Sequence, residues 1–339
     1  MKYNILGLDR YEISQILKND NDASSIFKNI YQKGYLNFAF FGKRLNRILS
    51  DKFYIEFPKI VDVLTDSSET TKLVMESQGS YIESVLIPSK NRLTLCISSQ
   101  IGCLLDCTFC YTAKIGFRRN LETWEIVGQY IAAMENLNKK ITHIVFMGMG
   151  EPLLNTKNVI KAVRIFKDHF GLQFSSRNIT ISTAGILPEL HIIEKERVSL
   201  AISLNSPDNE KRSMLMPINI KYPLEKLFES LINLKGPARN IITFEYVLIR
   251  GVNDSYEDAR KTAELLKIIR KSKINLVPFN KFNGSIYNPP LDSEIENFRK
   301  YLESFGIMVT VRNPRGREIM GACGQLGSSF LNLNLNVSH

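Results

Sequence analysis

The 339-residue sequence predicts an α/β fold: a mainly parallel sheet arranged as a partial, TIM-like (β/α)6 barrel, with a small helical unit in front of it. Two observations carry this. From about residue 92, short runs of β-branched and apolar residues alternate with amphipathic helical stripes, the mark of successive β/α units. Before about residue 60 the periodicity is helical throughout.

In the first unit, Asp9 followed by Glu12 has the form of an N-cap with its reciprocal partner, and Ile13, Ile16 and Leu17 then fall on one helical face. Ile26, Phe27, Ile30 and Tyr31 form a second stripe that ends at Gly34, and Leu45, Ile48 and Leu49 a third. Ten Lys or Arg stand here against six acids, a net of +4, with Lys43, Arg44 and Arg47 close together. Such a unit can hold RNA or simply present a solvated face. The expected organisation is an N-terminal helical accessory domain (1–75), for which RNA binding is the functional expectation, a connecting segment carrying Glu83 (76–91), a core with the Cys323 loop (92–327) and a tail (328–339).

Within the core, strands are expected near 93–98, 142–147, 178–182, 198–203, 242–249 and 274–279, with a further one near 307–312. Helices fit between them: Ile126, Val127, Tyr130, Ile131 and Met134 make one stripe, Ala259, Ala263, Leu266 and Ile269 another. The closing run Leu331 to Asn336 alternates apolar with polar residues and reads equally as a strand or a loose tail.

Hydrophobic content of 44% and charged content of 23% are those of a globular protein. No run approaches the roughly 18 apolar residues of a membrane span. Asp9 and Arg10 interrupt the N-terminus before an apolar segment of signal-peptide length forms, so a cytoplasmic protein with no membrane partner is expected. The formal charge of +10 favours a polyanionic partner, though charge by itself is a weak signal. Five cysteines are too few, and odd in number, for a secreted disulfide scaffold.

Three of them, Cys103, Cys107 and Cys110, lie in the run Gly102-Cys103-Leu104-Leu105-Asp106-Cys107-Thr108-Phe109-Cys110. Three thiolates on one loop can hold three irons of a 4Fe–4S cluster and leave the fourth iron open to a small molecule. Zinc is the alternative, but it would need a fourth ligand, and His143, His169, His191 and His339 are scattered with no second cysteine pair. In parallel α/β sheets, ligands bind beyond the carboxyl ends of the strands. The cysteine loop, Gly148-Met149-Gly150-Glu151-Pro152, Ser182-Thr183-Ala184-Gly185, Ser203-Leu204-Asn205 and Pro278-Phe279-Asn280 each follow or end an expected strand.

The triplet with Phe109 before its last cysteine resembles the radical S-adenosylmethionine (SAM) enzymes. The resemblance narrows over Thr94 to Cys103, Gly116 to Leu121, Phe146 to Asn155, Leu215 to Asn219, Gly251 to Asp254 and Ala322 to Leu326. Together these are similar to the RlmN and Cfr family of radical-SAM methyltransferases of ribosomal RNA adenine. Glu151-Pro152-Leu153-Leu154-Asn155 and Ile30-Tyr31-Gln32-Lys33-Gly34 look more like the RlmN branch, which methylates C2, than the Cfr branch, which methylates C8 and confers antibiotic resistance.

The resemblance implies a 4Fe–4S cluster on Cys103, Cys107 and Cys110, two SAM per turnover, and SAM contacts from Gly150, Glu151, Ser182, Ser203, Leu204, Asn205 and Asn280. It implies that Cys323 carries the methyl group, that Cys96 resolves the adduct through a transient disulfide, and that Glu83 accepts a proton. Taken alone, Glu83 reads as a surface carboxylate. The implied partners are 23S ribosomal RNA and an electron donor such as flavodoxin; transfer RNA is left open as a second substrate, and a monomer is expected. Arg118 and Arg119, flanking the cluster loop, are candidate RNA contacts. Asn205 stands where relatives usually have His, and the loop before Cys323 keeps one acid, Glu318, where relatives usually carry two. A glycyl-radical activase would share the cluster loop but have no use for Cys96 and Cys323.

Overall fold

The computed structural model describes residues 2–135, 140–234, 241–312 and 315–327. Three helices open the chain: Arg10–Leu17 (α1), Asp20–Phe27 (α2) and Gly42–Lys52 (α3). Asp9 and Glu12 form the expected capping box, and Ile13, Ile26, Phe27, Ile30 and Leu49 are buried as their spacing requires. The unit has no core of its own. Its apolar side chains join one hydrophobic cluster that extends to Leu326. Arg10 pairs with Asp168 at 3.1 Å and Glu12 with Lys161 at 2.6 Å, fastening the helices to the barrel.

Among the described residues, ten strands form one sheet in which spatial neighbours are also neighbours in chain order. The first three are antiparallel: Lys59–Thr65 (β1), Thr71–Ser77 (β2) and Ser80–Ser89 (β3). This corrects the expectation of helix to residue 75 and a plain connector to 91. Two β-rich runs flank Gln78-Gly79, both with positive φ (51° and 69°), as a two-residue hairpin turn requires. β3 is buried through Ile82–Leu86 because β2 and the next strand cover its two edges while side chains pack on both faces.

The remaining strands are parallel to one another: Arg92–Cys96 (β4), His143–Phe146 (β5), Ile179–Thr183 (β6), Ser199–Ser203 (β7), Ile242–Leu248 (β8), Ser272–Pro278 (β9) and Val309–Val311 (β10). All seven expected segments are strands, one more than six. Helices between them include Thr123–Glu135 (α4), Thr156–Lys167 (α5), His191–Glu196 (α6), Asn209–Leu215 (α7), Leu224–Asn233 (α8), Tyr256–Ile268 (α9) and Asp292–Ser304 (α10). α4 is buried almost all round because it lies between the sheet and the N-terminal segment; Gly7 packs against Trp124. The run Leu331 to Asn336 lies outside the described residues. Among those described, no helix is long and apolar enough to cross a membrane.

Candidate active site

β4 runs directly into the cysteine loop, and the chain there has little freedom. Gly102 has φ +75°, and a Cβ on it would sit 1.5 Å from the Gly116 carbonyl oxygen, so only glycine fits. Thr108 donates its N–H to the Leu215 carbonyl at 3.0 Å, and its hydroxyl meets the Tyr287 hydroxyl at 2.9 Å. Held this way, Cys103, Cys107 and Cys110 line one cavity of about 180 Å3. Burial raises all three thiols, Cys103 to about 12, and Cys110 pushes both of its neighbours further up. Among the described residues no three His, Cys, Asp or Glu side chains are gathered to hold a single metal ion. Three soft sulfurs spread round a cavity, each costly to ionise bare, fit a multi-iron cluster in which iron replaces the protons.

The opposite wall of that cavity is made by strand ends. Gly150, Glu151, Ser182, Thr183, Ala184 and Ser203 line it, as the positions of their strands lead one to expect. Gly150 (φ +93°) turns tightly over Gln100, whose side-chain oxygen accepts the Glu151 N–H at 2.8 Å. Burial raises the Glu151 carboxyl, opposed by hydrogen bonds from Thr183, Ala184 and Leu153. Sequence reasoning missed the group that ties these ends together. Arg212, fully buried, donates to the carbonyls of Ala184, Ser203 and Leu204 and to the Asn219 side-chain oxygen at 2.6–3.0 Å. Burial lowers its pKa to about 10. In sequence it belongs to the run Glu210-Lys211-Arg212, which reads as a solvated helix face.

Three of the expected SAM contacts do not line this cavity. Leu204 is buried, with its backbone bonded to Glu245 and Arg212. Asn205, in the left-handed region at φ 58°, accepts from the Val247 N–H at 2.7 Å and donates to the Met216 sulfur at 3.0 Å. Asn280 donates to the Cys323 carbonyl at 3.0 Å and accepts from Arg317 at 2.7 Å. Asn205 therefore orients Met216, which does line the cavity, and Asn280 fastens the Cys323 loop.

Cys323 joins two spaces. It lines the small cavity and also a larger one of about 580 Å3, which is bounded by Val85, Ile87, Arg92, Cys96, Met147 and Asn280 among others. All five cysteines are free thiols. Cys96, at the end of β4, is buried, and burial and then Cys323 push its thiol up to about 12, while Arg312 pulls the other way. Arg312 was not anticipated. It follows β10 and places Nη1 3.3 Å from the Cys323 sulfur and 3.7 Å from that of Met147. Cys323 and then Glu245, on β8, hold the guanidinium firmly charged against the cost of its burial.

Glu83 is the residue that the sequence misplaced most. Far from the surface, it is 0% exposed on β3, on the same strand face as the cavity-lining Val85 and Ile87. Its Oε2 accepts the Gly327 N–H at 2.9 Å and lies 3.8 Å from Nζ of Lys72, itself only 2% exposed. Burial lowers the Lys72 ammonium, which Glu83 opposes. Ser98 hydrogen-bonds the Glu83 carbonyl at 2.6 Å and the Met149 N–H at 2.8 Å, tying this strand to the Gly148–Glu151 turn. The Cys323 loop closes over the site with the Gly324 and Leu326 carbonyls bonded to Tyr111 and Thr112. Arg119, a candidate RNA contact from sequence, is committed to buried Glu125 at 2.6 Å and to the Ser77 carbonyl.

A family model described as the radical SAM superfamily matches residues 97–266. The chain is 40% identical, over 97% of its length and 94% of that protein, to a dual-specificity RNA methyltransferase RlmN of Francisella tularensis subsp. holarctica. It is 41% identical, with 97% of each covered, to a probable dual-specificity RNA methyltransferase RlmN of Dictyoglomus turgidum. A crystal structure of a radical SAM methyltransferase from Sphaerobacter thermophilus superposes with a TM-score of 0.88 at 33% identity, covering 95% of this chain and 98% of that one.

Proposed function

The chain belongs to the RlmN family of radical SAM RNA methyltransferases, and from that premise we propose that it methylates C2 of an adenine in 23S ribosomal RNA at the peptidyl-transferase centre. A transfer RNA, at an anticodon-loop adenine, is the second substrate of this proposal, in keeping with relatives named dual-specificity RNA methyltransferases. Such work belongs in the cytoplasm. One observation carries the reading: Cys96 and Cys323 share a cavity, and Cys323 also faces the cavity of Cys103, Cys107 and Cys110.

Cys103, Cys107 and Cys110 would hold a 4Fe–4S cluster, and Gly150, Glu151, Ser182 and Ser203 would hold SAM beside it. Bound there, the pair supplies one-electron chemistry able to remove hydrogen from an unactivated methyl group, with electrons from a donor such as flavodoxin. C2 of adenine is electron-poor and has no nucleophilicity toward a sulfonium methyl, so a polar transfer to it is closed.

The chain's own residues do the rest. Arg312 donates to the Cys323 sulfur at 3.3 Å and so orients it toward the methyl group of one SAM, which it attacks: the sulfur–carbon bond forms as the sulfonium bond breaks, and the thiol proton is released. Once that S-methyl group has lost a hydrogen atom, its carbon joins C2 of the adenine in the larger cavity. Glu83 accepts the C2 proton; its carboxylate is shielded from water and stands on the strand face that lines this cavity. Cys96 then attacks the Cys323 sulfur: a disulfide forms, the carbon–sulfur bond breaks, and the freed carbon takes up the Cys96 thiol proton to become the methyl group. The adduct's unpaired electron would pass back to the cluster, methyladenine leaves, and reduction of the disulfide resets the enzyme. Since burial holds the Cys96 thiol near 12, it stays protonated at neutral pH and does not compete for the methyl group earlier.

The test is a pair of replacements in the cluster-loaded enzyme. Cys323→Ala yields neither methylated RNA nor RNA-linked protein. Cys96→Ala accumulates a covalent Cys323–adenine adduct, seen on a denaturing gel. Full turnover by Cys96→Ala without adduct refutes the two-cysteine route, and 8-methyladenosine in the nucleoside mass spectrum refutes the C2 assignment.

A further inference from the structure

Outside the larger cavity lies a depression of about 500 Å3 that takes no part in the chemistry above. Ser89, Arg92 and Arg315 line both spaces, so the one opens into the other. Its wall carries four cations, Lys90, Arg92, Lys140 and Arg315, against a single carboxylate, Glu69. Lys90, Arg92 and Lys140 are exposed, and none is paired with a carboxylate among the described residues. Elsewhere Arg10, Arg44, Arg119, Arg164, Arg260 and Arg299 each hold an acid. Arg315 is fixed in the wall by the Pro88 carbonyl, and the adjoining Gly316 N–H by Asp66 at 2.7 Å.

We propose that this groove is the phosphate track for the RNA strand beside the target nucleotide. Lys90, Arg92 and Lys140 contact consecutive backbone phosphates while the base projects inward between Cys96 and Cys323. The inference rests on the RNA-modifying reading above. Its physical basis is that a base inside the cavity remains tethered to its neighbours through phosphodiesters, which must cross the rim, and this is where the rim carries uncompensated positive charge. Such contacts position the strand without reading its sequence.

The experiment uses the full-length, cluster-loaded enzyme and a transcript of the ribosomal hairpin containing the adenine. Lys90→Gln, Arg92→Gln and Lys140→Gln are combined, and RNA affinity is measured against salt concentration together with initial rates. Each phosphate contact on a single strand contributes about 0.7 to the logarithmic salt slope, so the triple variant loses about 2 from it. KM for RNA rises on the order of tenfold or more, and in the Lys90→Gln, Lys140→Gln pair, which leaves the cavity-lining Arg92 in place, kcat at saturating RNA stays within about twofold. A charge-matched control, Lys195→Gln with Lys226→Gln and Lys267→Gln, keeps the slope. Charge-preserving Lys90→Arg with Lys140→Arg keeps it too. An unchanged slope in the triple variant overturns the groove, as does a fall in kcat with binding intact, or loss of the slope in the charge-preserving pair. Failure of the unmodified enzyme to bind or methylate the transcript overturns the parent reading instead.

Discussion

The two halves of the ten-stranded sheet serve the site in different ways. The seven parallel strands β4–β10 present their ends, because every connection returns through a helix and all the loops that follow the strands gather at one rim. Cysteine loop, Gly148–Glu151 turn and the Ser182 and Ser203 ends are all of this kind. The antiparallel strands β1–β3 are joined by tight turns and offer no such rim. They contribute a side chain from a strand face, Glu83, and a turn, where Asp66 and Ser67 bond to Gly316 and Glu318 of the Cys323 loop. A parallel half thus builds a binding bowl; an antiparallel flank supplies a wall with a buried carboxylate and a clasp for the loop that closes it.

The largest effect expected is in the parallel half alone. Gly102→Ala drives a Cβ into the Gly116 carbonyl oxygen and forces φ +75° on an L residue, so the cysteine loop cannot form. Iron and sulfide content falls to background, as it does for Cys107→Ala, which carries no backbone strain. Intact cluster in either variant breaks the assignment of the bowl to this loop.

The next test separates the halves. Glu83→Gln keeps shape and removes the charge, so turnover falls on the order of 100- to 10,000-fold, the usual worth of a positioned base. S-methylation of Cys323, which depends on the bowl and on Arg312, continues and is read by intact-protein mass spectrometry. Equal loss of both activities would show that the antiparallel flank is only structural support.

Cys96 lies on the seam, with Val85 of β3 on one side and Val145 of β5 on the other. Its folded pKa, about 12, is raised above the ordinary thiol value of about 8.5. Between those values the unfolded chain has released the proton while the folded chain retains it, so this contribution to stability is whole below pH 8.5 and lost as pH rises. By pH 10.5 the loss is about 3 kcal/mol. Denaturant titrations of Cys96→Ala and the parent, both in cluster-free form, should converge or cross in that direction between pH 8 and 10.5. Parallel curves would place Cys96 in contact with water.

The smallest effect belongs to the N-terminal helices. Arg44 is already held by Asp22 at 2.6 Å, which leaves Lys43 and Arg47 exposed without a carboxylate partner among the described residues. Replacing Lys43, Arg44 and Arg47 together with Gln lowers the salt slope of RNA binding by about 1, from two contacts rather than three. A loss larger than that from the groove variant would make the helices, not the groove, the main RNA handle.

The sequence by itself determined whatever depends on neighbours in the chain. The parallel strands are legible because a short β-branched run, its flanking turn and the following helical stripe lie within a few dozen residues. The cysteine triplet is legible because its ligands share one loop. The hairpin around Gln78-Gly79 carries a local signal too, two β-rich runs about a two-residue turn. Tertiary structure decided what depends on burial and on partners far along the chain. Glu83 looks like any exposed acid until Lys72, Gly327 and the covering loop enclose it. Arg212 and Arg312 look like solvated cations until one gathers the carbonyls of two strand ends and the other meets Cys323. Asn205 and Asn280, expected from sequence as SAM contacts, commit their amides to Met216 and the Cys323 loop. A residue's spacing is written in the chain, but the dielectric around its charge is set only when distant segments pack against it.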